Sequence, residues 1–299
     1  MSTIGTKAPA GRGGMGESST GADRDNPAEI VRVIRPSQGW IAVDWKELYQ
    51  SRELFDTLVT RDIKIRYKQT VLGVAWAVLQ PLASMIVFTV IFGNFQGVKP
   101  AGIEYPLYVF AGLVPWTFFS NAVSSASTSL LAQQQLLTKI YFPRLYLPAS
   151  NIGAYLVDMA VGFGILGLLM VYFGSVPSWH LVFTPLVIVL NFAAALGLGL
   201  ILASMTIMYR DLRFIVPFLL QLFMFASPLF YPTERLPRLV QVLVALNPMA
   251  GIISAYRWCF FDFPVDPLSL AISVFSSIAA LVFGLFFFRK SERFFADIL

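Results

Sequence analysis

The side chains that could do chemistry are few and scattered. One histidine, His180, and one cysteine, Cys259, leave no imidazole pair, no intrachain disulfide and no cysteine-rich metal site. The sequence contains no HExxH run and no nucleophile elbow, and no paired carboxylates face a common cavity. The nearest approach to a phosphate-cradling loop is GLFFFRKS, residues 284–291, but Arg289 stands where GxxxxGKS/T needs its second glycine. Neither a catalytic residue nor a metal ligand set is therefore expected, and any nucleotide hydrolysis belongs to another chain.

Two charged features remain. Asp158 lies inside the apolar run NIGAYLVDMAVGFG, where a carboxylate at a membrane helix centre costs about 2.5–3.5 kcal/mol and needs a reason to be present. With no basic partner or second acid near it in sequence it makes a poor proton relay. A hydrogen bond to a neighbouring helix, through Asn151 or the Ser/Thr-rich second span, is one role, and ion-coupled transport is the other. The second feature is RDIKIRYK, where Arg61, Asp62, Lys64, Arg66 and Lys68 crowd together just before a run from Val71 to Ile91 without a charge.

The elements that must position these groups are set by composition. Hydrophobic residues make up 57% of the chain and charged ones 13%, with mean hydropathy +0.68, which is outside the range of soluble domains. Apolar runs of 18 or more residues are long enough to cross a hydrocarbon core of about 30 Å as helices. The sequence predicts an all-α integral membrane protein of six transmembrane helices, near Val71–Phe92, Pro106–Leu131, Leu147–Phe173, Leu181–Met208, Phe214–Phe230 and Pro267–Phe288. Alternating strands of a membrane barrel are absent from the pattern. Residues 1–39, rich in Gly, Ser, Ala and Pro, read as a disordered cytoplasmic tail without the apolar core of a signal peptide.

Lysine and arginine decide orientation. Lys46, Arg52, Arg61, Lys64, Arg66 and Lys68 precede the first span; Lys139 and Arg144, Arg210 and Arg213, and Arg289, Lys290 and Arg293 follow in alternate connections. All are expected on the cytoplasmic side, with both termini, in an inner membrane crossed several times. Residues 236–261 are nearly apolar enough for a seventh span, but Asn247-Pro248 interrupts them at the middle. An outer re-entrant helical hairpin is expected there, beside a pathway, since irregular backbone at membrane depth needs protein or water around it.

Within the interfacial region, residues 40–70, Leu54, Phe55, Leu58, Val59, Ile63 and Tyr67 recur at spacings of three and four while Arg61, Lys64 and Lys68 take the other side. This describes an amphipathic helix in the headgroup region, bent into the first span near Gly73. Its cations either enforce topology or attract an anionic headgroup, a lipid diphosphate included. The membrane domain then occupies 71–288 and a short cytoplasmic tail 289–299. Aromatic side chains repeat along helix faces: Met85, Phe88, Phe92 and Phe95 in the first span, Phe218 with Phe225 and Phe223 with Phe230 in the fifth. They face lipid, or they line a passage whose flat rings stack on sugar C–H faces. Ala193, Ala195, Gly197 and Gly199 carry small-residue spacing for close helix packing.

Four stretches in order, KIRYKQTVLGVAWAVLQPL, LLTKIYFPRLYLP, YRDLRFIVPFLLQLFMFASPLFYP and LNPMAGIISAYRW, resemble the permease subunits of type-2 ABC exporters, most closely those of lipid-linked polysaccharides such as O-antigen, with teichoic acid and capsule exporters as relatives. The likeness runs from about Trp40 to the C-terminus. It implies a homodimer with two separate ATPase subunits that hold the ATP and Mg, moving a polysaccharide on undecaprenyl diphosphate between two copies of the chain. Membrane lipids are the other expected partners, and no nucleic acid is. By the same resemblance, Lys139, Ile140, Tyr141, Phe142, Pro143 and Arg144 form the coupling helix, with Tyr141 and Phe142 as anchor and Arg144 at the rim. Arg61, Lys64, Arg66 and Lys68 would hold the diphosphate at a lateral gate, and Asn247, Pro248, Tyr256 and Trp258 belong to the outer gate. Export of small hydrophobic molecules is the rival within the class.

Overall fold

The structure is a computed structural model and describes residues 49–68, 73–95, 102–139, 142–233 and 236–298, side chains excepted at 73–77, 94–95, 137–139, 293–294 and 296–298. The expected tail, 1–39, lies outside them. Every regular element among the described residues is helical. In chain order these are α1 (Arg52–Lys68), α2 (Gly73–Phe88), α3 (Tyr105–Ala132), α4 (Gln134–Lys139), α5 (Tyr146–Tyr172), α6 (Thr184–Met208), α7 (Leu212–Phe225), α8 (Arg238–Ala245), α9 (Pro248–Phe261) and α10 (Pro267–Ile298). A π-helical segment, Thr89–Phe95, continues α2, and a 3-10 segment, Trp179–Phe183, leads into α6.

Four of these helices are long and apolar enough to cross a membrane: α3, α5, the 3-10 segment with α6, and α10 as far as Glu292. The bent pair α8 and α9 makes a fifth if it is counted as one span. The first and fifth expected spans are shorter than the sequence pattern suggests. Regular α-helix in the first runs from Gly73 to Phe88, with Pro81 inside it, and then widens into the π segment. The fifth stops at Phe225, because Pro228 has no N–H for the ladder and disfavours helical geometry at Ser227. Ser227 Oγ donates instead to the Phe223 carbonyl at 2.9 Å. Phe230, expected inside this span, therefore lies beyond its end.

α3 is the hub. Val109, Phe110, Ala111, Ala122 and Ala126 are fully buried on different sides of it, as befits a helix that is apolar all round. It packs against α5, α6 and α9. Small residues set how closely helices approach: a Cβ added at Gly199 would come within 2.9 Å of Ala126 Cβ. At Gly197, α6 meets α10, and an added Cβ would lie 2.4 Å from the backbone at Ala280.

The hairpin breaks where proline geometry requires, α8 and α9 meeting at 92°. Asn247 stabilises the corner as N-cap: its Oδ1 accepts from Met249 N at 2.8 Å and its Nδ2 donates to Ser227 Oγ at 2.9 Å. Pro248 follows at the first helical position, where its missing N–H costs nothing. α9 ends on Asp262, the one non-glycine residue with positive φ among the described residues (φ 60°, ψ 30°).

At the other end of the bundle, a second core gathers Leu58 of α1, Phe142 and Leu145, Tyr146 and Leu147 of α5, Leu200 and Ile207 of α6, and Phe288 and Phe295 of α10. α10 does not stop at Phe288 as the hydropathy pattern suggests. It runs on to Ile298 because Phe295, 1% exposed, packs edge-on against Phe288 with centroids 5.6 Å apart.

Candidate functional site

The site is built on α1, whose sequence favours a helix with acid at the start and base at the end, Glu53 in the first turn and Arg66 and Lys68 in the last. One face carries Leu54, Phe55, Leu58, Val59, Asp62 and Arg66 and packs on α5. Phe55 meets Tyr146 with ring centroids 5.4 Å apart, Ser150 Oγ donates to Asp62 Oδ2 at 3.0 Å, and Val59 sits over Gly153. The opposite face, with Arg61, Lys64 and Lys68 beside Asp56, Thr57, Thr60 and Ile65, lines an open groove of about 580 Å³.

The structure thus divides the four cations expected together. Arg61 also donates to the neighbouring Asp62 carboxylate at 2.7 Å. Arg66 turns the other way. Its Nη1 donates to Asp158 Oδ2 at 2.8 Å, and its guanidinium carbon lies 3.5 Å from the centre of the Tyr155 ring. The Tyr67 hydroxyl donates to Asp158 Oδ1. Burial first, and the Asp158 carboxylate second, push the Tyr67 phenol well above its ordinary range, so it stays a neutral donor.

This corrects the expectation that Asp158 has no basic partner and bonds through Asn151 or the second span. Asn151 is occupied elsewhere, accepting from Ser125 Oγ at 2.9 Å and donating to the Leu147 carbonyl at 2.8 Å. A signal was present in the sequence: Phe55, Val59, Asp62 and Arg66 share one helical stripe, which puts Arg66 with the apolar side of α1 and away from Lys64 and Lys68.

In the expected coupling segment, Lys139 ends the α4 backbone, while Ile140 and Tyr141 lie outside the described residues. Phe142 is buried in the second core, 6% exposed, so its ring is a support of its own chain and not a projecting anchor. Pro143 and Arg144 open the turn into α5 through their carbonyls, which accept from Tyr146 N and Leu147 N. The Arg144 Nη1 donates to the Glu292 carbonyl of α10 at 2.8 Å.

The aromatic set divides too. Phe88 and Phe92 stack with Phe230, centroids 3.6 and 5.9 Å apart, and Phe225 lies 6.2 Å from the same ring. Phe223 leans on Trp116 at 5.8 Å, beside an apolar hollow of about 490 Å³. Phe218 and Phe225 are exposed on α7. Phe95 belongs to the π segment, its side chain outside the described residues.

At the hairpin end, Tyr256 is buried against Phe163 with centroids 5.4 Å apart. Trp258 stacks on His180 at 4.1 Å, and His180 Nδ1 lies 3.1 Å from Asp262 Oδ1. Arg257, a charge within the apolar stretch 236–261, is 4% exposed. It donates to the carbonyls of Pro228, Leu229 and Tyr108 at 2.8, 2.8 and 3.3 Å and covers the Tyr108 ring at 3.5 Å. Nothing in its neighbourhood in sequence marks it as buried, because its partners lie in the turn after α7 and in α3.

Residues 53–261 match the ABC-2 type transporter family. The O-antigen export system permease protein RfbA of Myxococcus xanthus is 33% identical over 219 residues, 73% of this chain and 84% of that protein. A protein of the same description from Klebsiella pneumoniae is 28% identical over 258 residues, 85% of this chain and 99% of its own. The polysialic acid transport protein KpsM of Escherichia coli is 22% identical over 247 residues, 80% of this chain and 93% of that one.

Proposed function

Because this chain belongs to the ABC-2 type transporter family, we propose that it is the membrane permease of an ATP-driven exporter of lipid-linked polysaccharide, most closely an O-antigen on undecaprenyl diphosphate. Two copies form the passage, since one small bundle scarcely encloses a sugar chain, and two separate ATPase subunits supply the hydrolysis. The chain crosses the inner membrane six times, α2 and α7 included, with α8 and α9 as an outer re-entrant hairpin and both termini inside. The names of its relatives support a polysaccharide cargo. The coupling segment around Tyr141 meets the ATPase, backed from within by Phe142.

One observation carries the substrate reading: Arg61, Lys64 and Lys68 line a single open groove on α1, at the end of the bundle where the family resemblance puts the cytoplasmic interface. Clustered cations beside a headgroup region bind phosphate-bearing lipids, by about 1 kcal/mol per basic residue. A second reading, export of a small hydrophobic molecule, rests on the apolar hollow lined by Val216, Leu220 and Phe223.

The deciding experiment reconstitutes the chain with its ATPase subunit in vesicles loaded either with a lipid-linked glycan or with a hydrophobic dye. The proposal expects ATP-dependent translocation of the glycan, lost on the combined Arg61→Gln, Lys64→Gln, Lys68→Gln change, and no ATPase activity from the chain alone. Movement of the dye with the glycan left behind would transfer the assignment to the second reading.

A further inference from the structure

Asp158 is the feature that the family reading leaves without a task. Both of its oxygens are taken by α1, one by the Arg66 guanidinium at 2.8 Å and the other by the Tyr67 hydroxyl. It stands on α5 between the exposed residues Val157 and Ala160, where a carboxylate needs a cationic partner to be tolerated. The end of α1 nearest the first span is therefore pinned to α5 through a single acid. The pair is also reachable: the Arg66 and Asp158 side chains keep 26% and 20% of their surface exposed. An anion can approach Arg66 without unfolding anything.

We propose that Asp158 is a displaceable counter-anion for Arg66, and that a diphosphate headgroup replaces it and so loosens α1 from α5. This rests on the reading of the cargo as a diphosphate-linked lipid. A guanidinium presents parallel N–H donors that match phosphate oxygens, and a diphosphate brings more charge than one carboxylate. The cation keeps an anionic partner throughout, while the Asp158 carboxylate is left with the Tyr67 hydroxyl alone, a cost that draws Arg66 back once the headgroup has gone. Arg61, Lys64 and Lys68 lie within two turns on the same helix and raise the local concentration of the arriving headgroup. Once Arg66 has changed partner, the tie to Asp158 is the neutral one from Tyr67, and this end of α1 is held to α5 less firmly. Asp158 thus acts as a positioning residue that makes release of α1 depend on the headgroup.

The contact of Val59 with Gly153 supplies a reporter, since Val59 Cγ2 lies 3.5 Å from where a Gly153 Cβ would be. The full chain carrying Val59→Cys, Gly153→Cys and Cys259→Ala is reconstituted in phosphatidylcholine vesicles, and the rate of disulfide formation under mild oxidation is followed. Without ligand, Asp158→Asn is expected to slow cross-linking by about fivefold, the undocked form becoming the more populated one. Asp158→Glu restores the rate, and equal thermal stability of the two variants sets aside misfolding.

Undecaprenyl diphosphate in the vesicles slows the parent to the rate of Asp158→Asn and leaves that variant unchanged. Inorganic pyrophosphate acting in the same way, at higher concentration, supports headgroup recognition. An equal effect of phosphatidylglycerol overturns it. Diphosphate lipid that co-purifies with the chain in detergent without altering the rate overturns the exchange and leaves the proposed function standing. Failure to bind at all removes the diphosphate reading and the exchange together, while an unchanged rate in ligand-free Asp158→Asn removes the tie itself.

Discussion

Gly197 of α6 and Gly284 of α10 cross backbone to backbone: a Cβ added at Gly284 would lie 2.4 Å from the Gly197 carbonyl oxygen. No side chain stands between the two helices at this point, and neither backbone can yield as a flexible side-chain tip would. Gly197→Ala and Gly284→Ala are each expected to cost about 1–3 kcal/mol, the usual range for forced overpacking. The two costs should fall short of adding, since one displacement of α10 relieves both clashes. Thermal unfolding of the single and double variants in detergent tests this, and an unshifted midpoint for either single change would refute it.

Arg257 holds the turn after α7 against α9 by donating to the Pro228, Leu229 and Tyr108 carbonyls. Removing it as Arg257→Ala leaves buried carbonyls without donors, at a cost of about 2–4 kcal/mol. Arg257→Lys recovers only part of this, because an ammonium lacks the planar fork that reaches several acceptors at once. Equal melting temperatures for the lysine and alanine variants would show that the fork geometry is irrelevant.

Phe142 and Tyr141 are neighbours with separable effects. Phe142→Ala empties a buried site in the second core and should lose about 3–5 kcal/mol of stability. Tyr141→Ala should leave the melting temperature in place and reduce co-purification of the ATPase subunit. If Phe142→Ala proved as stable as the parent, the core around Phe288 and Phe295 would have been misassigned.

The far end of α10 secures that core from the other side. A chain ended after Glu292 keeps the carbonyl that Arg144 donates to but lacks Phe295. Local opening of the turn at Arg144 should become more frequent, and trypsin cleavage there about tenfold faster. Cleavage at the parent rate would mean that Phe295 adds nothing to the hold on this turn.

Much of this architecture can be read from hydropathy alone. α3, α5, α6 and α10 begin within three residues of the apolar runs, because lipid solvation demands long unbroken helices whatever their neighbours. Asn247-Pro248 marks the hairpin corner for an equally local reason. What resists sequence reading is pairing at long range. Asp158 and Arg66 are 92 positions apart, Arg257 finds its acceptors in α3 and in the turn after α7, and Phe295 appears as part of a polar tail until Phe288 is seen beside it. The end of α7 departs from the hydropathy pattern on different grounds: Phe223 and Phe230 keep helical spacing, but the proline between them at 228 outweighs it.

At Asp262 the backbone and the side chain ask for different residues. A left-handed turn is eased by glycine, and an acid adopts it at a cost of about 1–2 kcal/mol. Yet only a residue with an acceptor oxygen at that reach meets His180, which is itself clasped between Trp179 and Trp258. Few amino acids satisfy both demands: valine, isoleucine and threonine are barred by their branching, glycine leaves the imidazole facing Ser178 alone, and asparagine is the nearest substitute. One corner of the chain is thereby restricted to a very short alphabet, although it touches no proposed cargo or ATPase contact.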